Sequence, residues 1–248
     1  MWGVADGVVG RTPGWPEALA LLLLVAGLYW AAADLRSQGF VAAVSKGRTD
    51  CEAVALTFDD GPDPATTPRV LDLLAEYGAR ATFFVIGEKA LAHPELLRRM
   101  RDLGHEVATH GFRHGWREIL TPERARAQVQ RGVDSIVSTL GTSPKYFRPP
   151  YGVATPALAA ALEGSGLTVV GWSLRTRDGR GRGDPAERAQ WTVSTARTGD
   201  VILMHDAPET SGGRMPLGPA MLPFVLAGLR DRGIRSVVLS DLVEKSPN

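Results

Sequence analysis

The sequence has almost no cysteine and little net charge, and both scarcities exclude classes of function. Cys51 is the only cysteine among 248 residues, so the chain can form neither an internal disulfide nor a thiolate metal cluster. The formal net charge is +1, and the lysines and arginines form no basic run, which argues against nucleic acid as a partner. The candidate groups for chemistry are carboxylates, imidazoles and a guanidinium group that stand at the ends of predicted strands.

The chain also lacks an apolar run of comfortable transmembrane length. Segment 18–33 is uncharged and rich in Leu and Ala, but it is shorter than the about 20 residues of a typical membrane helix. Only Arg11 precedes it as a basic residue, whereas a secretory signal would be more basic there. We predict a single-pass anchor and hence a membrane or cell-envelope location, with a signal segment or a buried helix as alternatives. More basic residues follow the run than precede it, which by the positive-inside rule would leave the domain in the cytoplasm, so topology stays open.

The remainder of the chain divides into three parts. Residues 1–17 form an N-terminal segment, the polar stretch 34–50 predicts a linker, and 51–248 predicts one α/β domain. Apolar β-rich runs there predict strands at 53–58, 81–86, 106–109, 145–147, 167–172, 201–204 and 235–239. Helical patterns between them predict helices at 69–77, 94–103, 122–140, 156–163 and 219–232. This alternation predicts a mostly parallel sheet, closed or open.

Two adjacent carboxylates, Asp59 and Asp60, stand where the first predicted strand ends. Reacting groups in parallel α/β folds lie at such strand ends, and Gly61 with Pro62 predicts a turn that brings both carboxylates toward one site. Without a cation, crowded like charge would raise one of the two pKa values, so the pair indicates a metal ion or a nearby arginine. The alternative is a strand-ending turn with solvated carboxylates.

His110 and His114 stand four residues apart, directly after a predicted strand. A helical turn there would place both imidazoles on one face, a spacing that suits zinc. With Asp60 they make a set of two histidines and one carboxylate, which leaves positions open for water and substrate. Ordinary surface or core histidines are the alternative. His93 precedes a helix and His105 leads into a strand, so we interpret both as structural.

Arg148 follows another predicted strand and precedes two prolines, which make its loop rigid. Its guanidinium can hold a carboxylate through two hydrogen bonds and favour the ionised form of an aspartate beside it. Gly152 allows a ligand to approach the backbone closely, and the amide of Tyr151 can donate to an oxyanion. The alternative is a proline-rich structural turn.

His205 ends an apolar predicted strand, where a neutral imidazole packed in the core is the ordinary interpretation. A carboxylate partner would change its role. Asp178 can orient the ring and raise its pKa, which would make an imidazolium able to protonate a leaving group.

Taken in order, five segments resemble the polysaccharide deacetylases of carbohydrate esterase family 4, also called the NodB homology domain. The resemblance covers about residues 50 to 243 and is carried by Thr57 to Asp63, His110 to His114, Arg148 to Gly152, Trp172 to Asp178, and Leu203 to His205. It implies a distorted (β/α) barrel of about seven parallel strands. It also implies a hydrolase that removes N-acetyl, or O-acetyl, groups from a glycan with a divalent metal ion, commonly Zn²⁺.

The resemblance also implies a role for each matching residue. In chain order these are Asp59 as general base, Asp60, His110 and His114 as metal ligands, Arg148 in contact with the base, the Tyr151 amide at the oxyanion, and His205 as general acid. The implied reaction begins with a metal-bound water, whose proton passes to Asp59. The metal and the Tyr151 amide then stabilise the oxyanion, and His205 protonates the departing amine.

Two segments depart from the family pattern. Gly111 stands where the family usually has Ser or Thr, so a hydroxyl that holds the loop is missing. Arg175 and Gly179 replace an aspartate and a tryptophan, although Asp178 remains and can still orient His205. We therefore expect a reshaped substrate groove.

Three alternatives to this function stay open on the sequence. Two histidines and one carboxylate also bind iron in non-haem oxygenases, which need oxygen and a cosubstrate. The altered segment around Arg175 and Gly179 also suits a carbohydrate-binding homologue without turnover. An apolar helix at a membrane would suit deacylation of a lipid-linked sugar.

Overall fold

The computed structural model describes residues 14–210 and 212–244. Residues 1–13, which include Arg11 and most of the predicted N-terminal segment 1–17, lie outside the described residues. The helices are α1 Trp15–Ala33, α2 Thr67–Glu76, α3 Gly87–Ala92, α4 Pro94–Asp102, α5 Pro122–Leu140, α6 Pro156–Leu162, α7 Pro185–Thr195, α8 Gly218–Asp231 and α9 Leu239–Val243. The strands are β1 Ala53–Asp59, β2 Ala81–Val85, β3 Glu106–Thr109, β4 Tyr146–Phe147, β5 Thr168–Val169, β6 Leu174–Arg175, β7 Val201–His205 and β8 Arg235–Ser236.

Seven strands form one curled parallel sheet in the order β5, β4, β3, β2, β1, β7, β6, and β8 pairs with β1 beside this path. Each pairing is parallel. Because β5 and β6 remain edges, the sheet is a half-barrel with helices packed against it. The predicted distorted barrel of about seven parallel strands is thereby confirmed.

β1 is the central element of the fold, and all seven of its residues are buried. Its Phe58 ring stacks on Phe83 of β2 at 5.1 Å between centroids. Full burial of such a side chain contributes about 1.5–3 kcal/mol to stability. The strand that carries the catalytic candidates at its end is therefore held by the main hydrophobic core.

Helix starts follow from local sequence. Most of the longer helices carry Pro in the first turn, where its missing N–H costs nothing. In α5, α6 and α7 the residue before that proline also caps the helix: Thr121, Thr155 and Asp184 accept hydrogen bonds from backbone amides. Such caps typically contribute about 1 kcal/mol.

Two predicted strands differ from the structure, and one strand was missed. The run 167–172 forms only the two-residue β5, and the run 235–239 forms β8 and then turns into α9, because a short apolar run does not separate strand from buried helix. β6 was not predicted, since two residues give no periodicity. The short helix α3 and the longer α7 were not predicted either.

The apolar helix α1 begins three residues before the predicted 18–33 segment and lies exposed. Leu22 and Trp30 are 64% and 63% exposed, and Ala33 is its buried residue. The alternative of a helix buried against the domain is therefore wrong. With 19 residues and a mean hydropathy of 1.7, α1 is long and apolar enough to cross a membrane, a test that a signal segment would also pass.

Segment 34–50, predicted as a linker, lies against the domain. Asp34 pairs with Val153, and Val44 with Val170, in isolated β-bridges. Leu35 is 2% exposed and packs in a cluster of buried apolar residues. The stretch is polar in composition, but backbone hydrogen bonds, which have no sequence signature, hold it in place.

Candidate active site

The sheet register brings the strand ends together. Asp59 stands opposite His205 of β7, and Thr109 stands opposite Phe147 of β4. The next residues along those two strands, His110 and Arg148, therefore emerge side by side. Long-range strand pairing thus assembles the candidate side chains at one end of the half-barrel.

Asp60 has a left-handed backbone with φ of 76°, a conformation uncommon outside glycine. This turn breaks the alternation of strand side chains, so Asp59 and Asp60 both line the same cavity. Both carboxylates are 4% exposed. The predicted turn at the end of β1 therefore does bring the adjacent carboxylates to one place.

Asp60, His110 and His114 form a cluster of possible metal ligands, whose ligand atoms lie within 4.8 Å of one another. Asp60 Oδ1 is 3.6 Å from His110 Nε2 and 3.5 Å from His114 Nε2. This oxygen is buried and has no hydrogen-bond partner among the described residues. An orphaned carboxylate oxygen facing two imidazole nitrogens fits a divalent cation.

Burial sets the protonation of this cluster. It lowers the pKa of His110 to about 3, lowers the pKa of His114, and raises the pKa of Asp60 to about 7. His110 Nδ1 lies 2.7 Å from the carbonyl oxygen of Arg148, so the neutral ring donates there and keeps its Nε2 lone pair toward Asp60. Neutral imidazoles are the form that binds metal.

The loop from His110 to His114 is irregular and not the expected helical turn. Gly111 has φ of 84°, and a Cβ there would lie 3.0 Å from Nε2 of Gln128. The Gln128 side chain of α5 donates to the carbonyl of Arg113 and accepts from its amide at 3.1 Å. The side-chain amide of Gln128 thus holds the loop in place of the missing hydroxyl at position 111. The sequence did not indicate this role for Gln128.

Arg148 is fully buried and spans the interior of the half-barrel. Its Nη1 donates to Asp59 Oδ1 at 2.7 Å and to Thr57 Oγ1 at 2.9 Å, while Nη2 donates to the Gly171 carbonyl at 2.8 Å. The guanidinium also lies 4.0 Å above the Phe84 ring. The arginine thus compensates the charge of Asp59 and fixes its orientation.

His205 and Asp178 form a buried pair across the cavity. His205 Nδ1 is 2.9 Å from Asp178 Oδ1, and the His205 amide donates to Oδ2 at 2.8 Å. Burial opposes a charged ring, but the Asp178 carboxylate overcomes it and raises the pKa of His205 to about 9. His205 is therefore an imidazolium at neutral pH, able to donate a proton.

These groups line one cavity of about 580 Å³, which also contains Tyr151, Trp172 and Arg175. Tyr151 has φ of 61° and lies edge-on to His114 at 4.3 Å between centroids. Gly152 packs against the Trp172 ring, which a Cβ there would meet at 2.2 Å. Every site residue predicted from the sequence except the buried Arg148 and Asp178 lines this cavity, and those two contact residues that do.

Two further residues border the site. Glu209 Oε1 lies 2.9 Å from His114 Nδ1, and Lys89 donates to the carbonyls of Asp60 and Pro208 at 2.7 Å each. Neither carries a motif, and Glu209 stands in an irregular loop, so no sequence signal could have found them. His93 and His105, interpreted as structural, do not line the cavity.

Comparisons with known proteins show which family this chain is similar to. The family model described as polysaccharide deacetylase matches residues 46–170. A peptidoglycan-N-acetylglucosamine deacetylase of Bacillus cereus is 33% identical over 77% of this chain and 87% of its own length. A chitooligosaccharide deacetylase of Sinorhizobium fredii is 34% identical over 82% of this chain and 98% of its own.

Solved structures are similar as well. A crystal structure of a peptidoglycan N-acetylglucosamine deacetylase superposes with a TM-score of 0.73 at 30% identity, covering 82% of this chain and 92% of that one. A family 4 acetyl xylan esterase from Clostridium thermocellum, in complex with a cobalt ion, gives a TM-score of 0.68 at 33% identity, over 76% and 89%.

Proposed function

Because this chain belongs to the polysaccharide deacetylase family of carbohydrate esterase family 4, we propose that it hydrolyses N-acetyl groups of an amino-sugar polymer or oligomer with Asp59 as base and His205 as acid. Family membership makes it a hydrolase acting on carbon–nitrogen bonds other than peptide bonds. One observation carries the assignment of residues: a cluster of three ligand atoms lies beside an aspartate held by arginine and in the same cavity as a protonatable histidine.

The residues proposed to hold the metal are Asp60, His110 and His114. Two imidazole nitrogens and one carboxylate oxygen, with room for further ligands, suit a catalytic Zn²⁺ site. When bound, such an ion lowers the pKa of water and polarises the acetyl carbonyl. Glu209 beside His114 would fix that ring, as carboxylates beside ligating histidines do.

Asp59 is proposed to take the proton of the attacking water. The Arg148 guanidinium occupies Oδ1 at 2.7 Å and stabilises the negative charge, while Oδ2 lies 4.0 Å from His110 Nε2 on the side of the ligand cluster. One oxygen is thus fixed by arginine, and the other faces the residues that would hold the metal. General base catalysis of this kind contributes about 10²–10⁴-fold in rate.

His205 is proposed to protonate the departing amine, and the Tyr151 amide to donate to the oxyanion. Asp178 holds His205 in one orientation through bonds to both its ring and its backbone. Tyr151 lies in the same cavity, and a well-aligned oxyanion donor contributes about 3–4 kcal/mol. The two groups would act on opposite ends of the bond that breaks.

We further propose that α1 anchors the enzyme in a membrane of the cell envelope. The support is its exposed apolar surface and its length. Alkaline carbonate extraction of membranes containing the full chain should leave the protein in the pellet, and release into the supernatant would contradict an anchor. Cysteine labelling from either side, at a residue introduced into an exposed loop, would then give the topology.

The reaction is tested by acetate release. Metal-loaded protein should release acetate from an N-acetylglucosamine oligomer with loss of one acetyl mass per event, also under anaerobic conditions with zinc, which an oxygenase could not do. Asp59→Asn should lower kcat by about 10²–10⁴-fold, whereas Asp134→Asn, an equivalent change at an exposed position on α5, should have no effect. Undiminished release by Asp59→Asn would refute the base, and glycan binding without any release would indicate a binding protein.

A further inference from the structure

The catalytic cavity is one end of a longer groove. A second cavity of about 1100 Å³ adjoins it and reaches Trp30 at the last turn of α1 and Trp191 of α7. The residues common to both cavities are Tyr151, Gly152, Trp172, Arg175 and Arg177. Since a cavity of about 300–1,000 Å³ holds one small ligand, the groove has room for sugar units beyond the one that is deacetylated.

Arg175 and Arg177 stand where the two cavities meet. Burial alternates along this stretch: Arg175 and Arg177 are exposed, while Thr176 and Asp178 between and after them are buried. The buried pair bonds to each other at 2.7 Å and orients His205. The segment 175–178 thus places the Asp178 carboxylate beside His205 and the guanidinium groups of Arg175 and Arg177 in the groove.

These guanidinium groups have no carboxylate partner among the residues that the structure describes. Within residues 14–210 and 212–244, Arg175, Arg177 and Arg180 take part in no ion pair. Apart from the aspartates of the catalytic centre, the lining carboxylates are Glu209, beside His114, and Asp34 at the far end. The two exposed arginines therefore place positive charge in the middle of the groove, while Asp184 and Glu187 line a separate cavity that shares Arg177 and Trp191 with it. Exposed guanidinium groups bind carboxylates and phosphates through paired hydrogen bonds.

Aromatic surfaces flank this charge. Trp172 lines both cavities, and the Trp191 and Trp30 rings, 45% and 63% exposed, line the outer one. Flat aromatic rings offer large apolar contact areas, against which the C–H faces of sugar rings can pack. Charge and aromatic surface together suit a chain of sugars that carries acidic groups.

We propose that this groove binds an anionic acetylated glycan, with the acetamido group at the metal end and an acidic substituent of an adjoining unit at Arg175 and Arg177. The proposal rests on the deacetylase function proposed above and names its substrate class. The acidic group can be a carboxylate on a neighbouring sugar or a phosphate ester that links the sugar to a carrier. Both present the paired oxygens that a guanidinium recognises.

Binding tests the proposal independently of turnover. Three N-acetylated probes would be titrated calorimetrically into the full-length, zinc-loaded chain in a neutral detergent: a neutral N-acetylglucosamine tetramer, a tetramer with carboxylate ethers on alternate sugars, and a diphosphate-linked N-acetylglucosamine with a short isoprenoid tail. At least one anionic probe should bind about tenfold more tightly than the neutral one. This preference should shrink as salt is raised from 0.05 to 0.5 M, because exposed charges are screened.

Variants assign the preference to the groove. Arg175→Gln and Arg177→Asn should each reduce the ratio of anionic to neutral affinity about tenfold. Asparagine is chosen because it tolerates the left-handed backbone that Arg177 adopts with φ of 60°. Arg126→Ala, at an exposed arginine of α5, should leave the ratio unchanged. Thermal unfolding would verify that each variant is folded.

The outcomes separate this proposal from the reaction itself. Preference for the carboxylated tetramer assigns the acid to the glycan, and preference for the diphosphate probe assigns it to a carrier. Equal binding of all three probes, or a preference that survives both arginine changes, overturns the anionic groove. If acetate is still released from the neutral tetramer in that case, the deacetylase function stands without it.

Discussion

His110 and His205 line the same cavity and are both largely buried, yet at neutral pH His110 is neutral and His205 is positively charged. Burial lowers the pKa of His110 to about 3, while the Asp178 carboxylate, against the effect of burial, raises the pKa of His205 to about 9. The difference lies in the partner of Nδ1. His110 donates to a backbone carbonyl, which cannot offset the loss of hydration of a charged ring, whereas a carboxylate can.

One residue type thus takes two protonation states within one cavity. Beside the carbonyl His110 stays neutral, as its proposed role of metal ligand requires, and the carboxylate keeps His205 protonated, as its proposed role of general acid requires. Changes at the metal end and at the acid end should therefore be separable by measuring metal content and pH dependence.

The largest effect is expected at the metal end. Asp60→Asn removes the only charged ligand of the cluster and should lower kcat/KM by about 10³-fold, since metal polarisation contributes several kcal/mol. Metal content by atomic emission should fall with it, while Asp134→Asn keeps both. Full retention of metal by Asp60→Asn would remove Asp60 from the proposed ligands.

At the acid end, His205→Gln should lower kcat by about 10²–10³-fold and leave metal content unchanged, because the variant loses proton donation alone. Kinetics with an activated acetyl ester, whose leaving group needs no proton, should show a much smaller loss. An equal loss on both substrates would mean that His205 is not the acid.

Replacing the carboxylate beside His205 by a neutral amide should make its environment resemble that of His110. In the proposed mechanism the protonated His205 is the active form, so kcat should fall as pH rises through about 9. Asp178→Asn removes the charge that raises this pKa and should move the alkaline limb toward lower pH, with about a tenfold loss at pH 8. The measurement is kcat from pH 6 to 10, and an unmoved limb would assign it to another group.

The contribution of the His205–Asp178 pair to the stability of the fold should also decrease at alkaline pH. Because the folded state raises the pKa of His205 above the unfolded value of about 6.5, protonation of His205 stabilises the fold fully below that pH, and this contribution is lost as pH rises through about 9.

The smallest effect is expected at Thr176, whose hydroxyl donates to Asp178 Oδ1 at 2.7 Å. Thr176→Val removes one of the bonds that hold this carboxylate ionised and should shift the alkaline limb in the same direction as Asp178→Asn, but less. The free energy of unfolding should fall by about 1 kcal/mol. The pH profile of kcat measures the shift, and denaturant titration measures the free energy of unfolding. A pH shift as large as that of Asp178→Asn would contradict a minor role for the Thr176 hydroxyl.

The strand ends were the predictable part of the site. Asp59 and His205 follow apolar strands long enough to recognise, so their placement at one end of a parallel sheet follows from sequence. β6 has two residues, and Arg177, with its left-handed backbone, separates it from Asp178. The pairing of Asp178 with His205 was expected, but its geometry depends on a turn that no pattern indicates.

What escaped prediction is held by long-range contacts. Gln128 reaches a loop 15 residues earlier, and Glu209 meets His114 from a loop without periodicity. The groove joining Arg175 to Trp191 depends on how α7 packs beside the sheet. Such contacts arise from tertiary packing, for which local sequence patterns give almost no signal.

The burial of Arg148 has a consequence for how this enzyme can evolve. One guanidinium ties the end of β1 to the backbone after β5 and holds the proposed base. The same residue therefore serves both the fold and the proposed catalysis. Replacing it would strand Asp59 as an uncompensated charge in the interior. A descendant that abandoned catalysis would have to rebuild its interior before it could discard this arginine, so the residue would outlast the activity it serves.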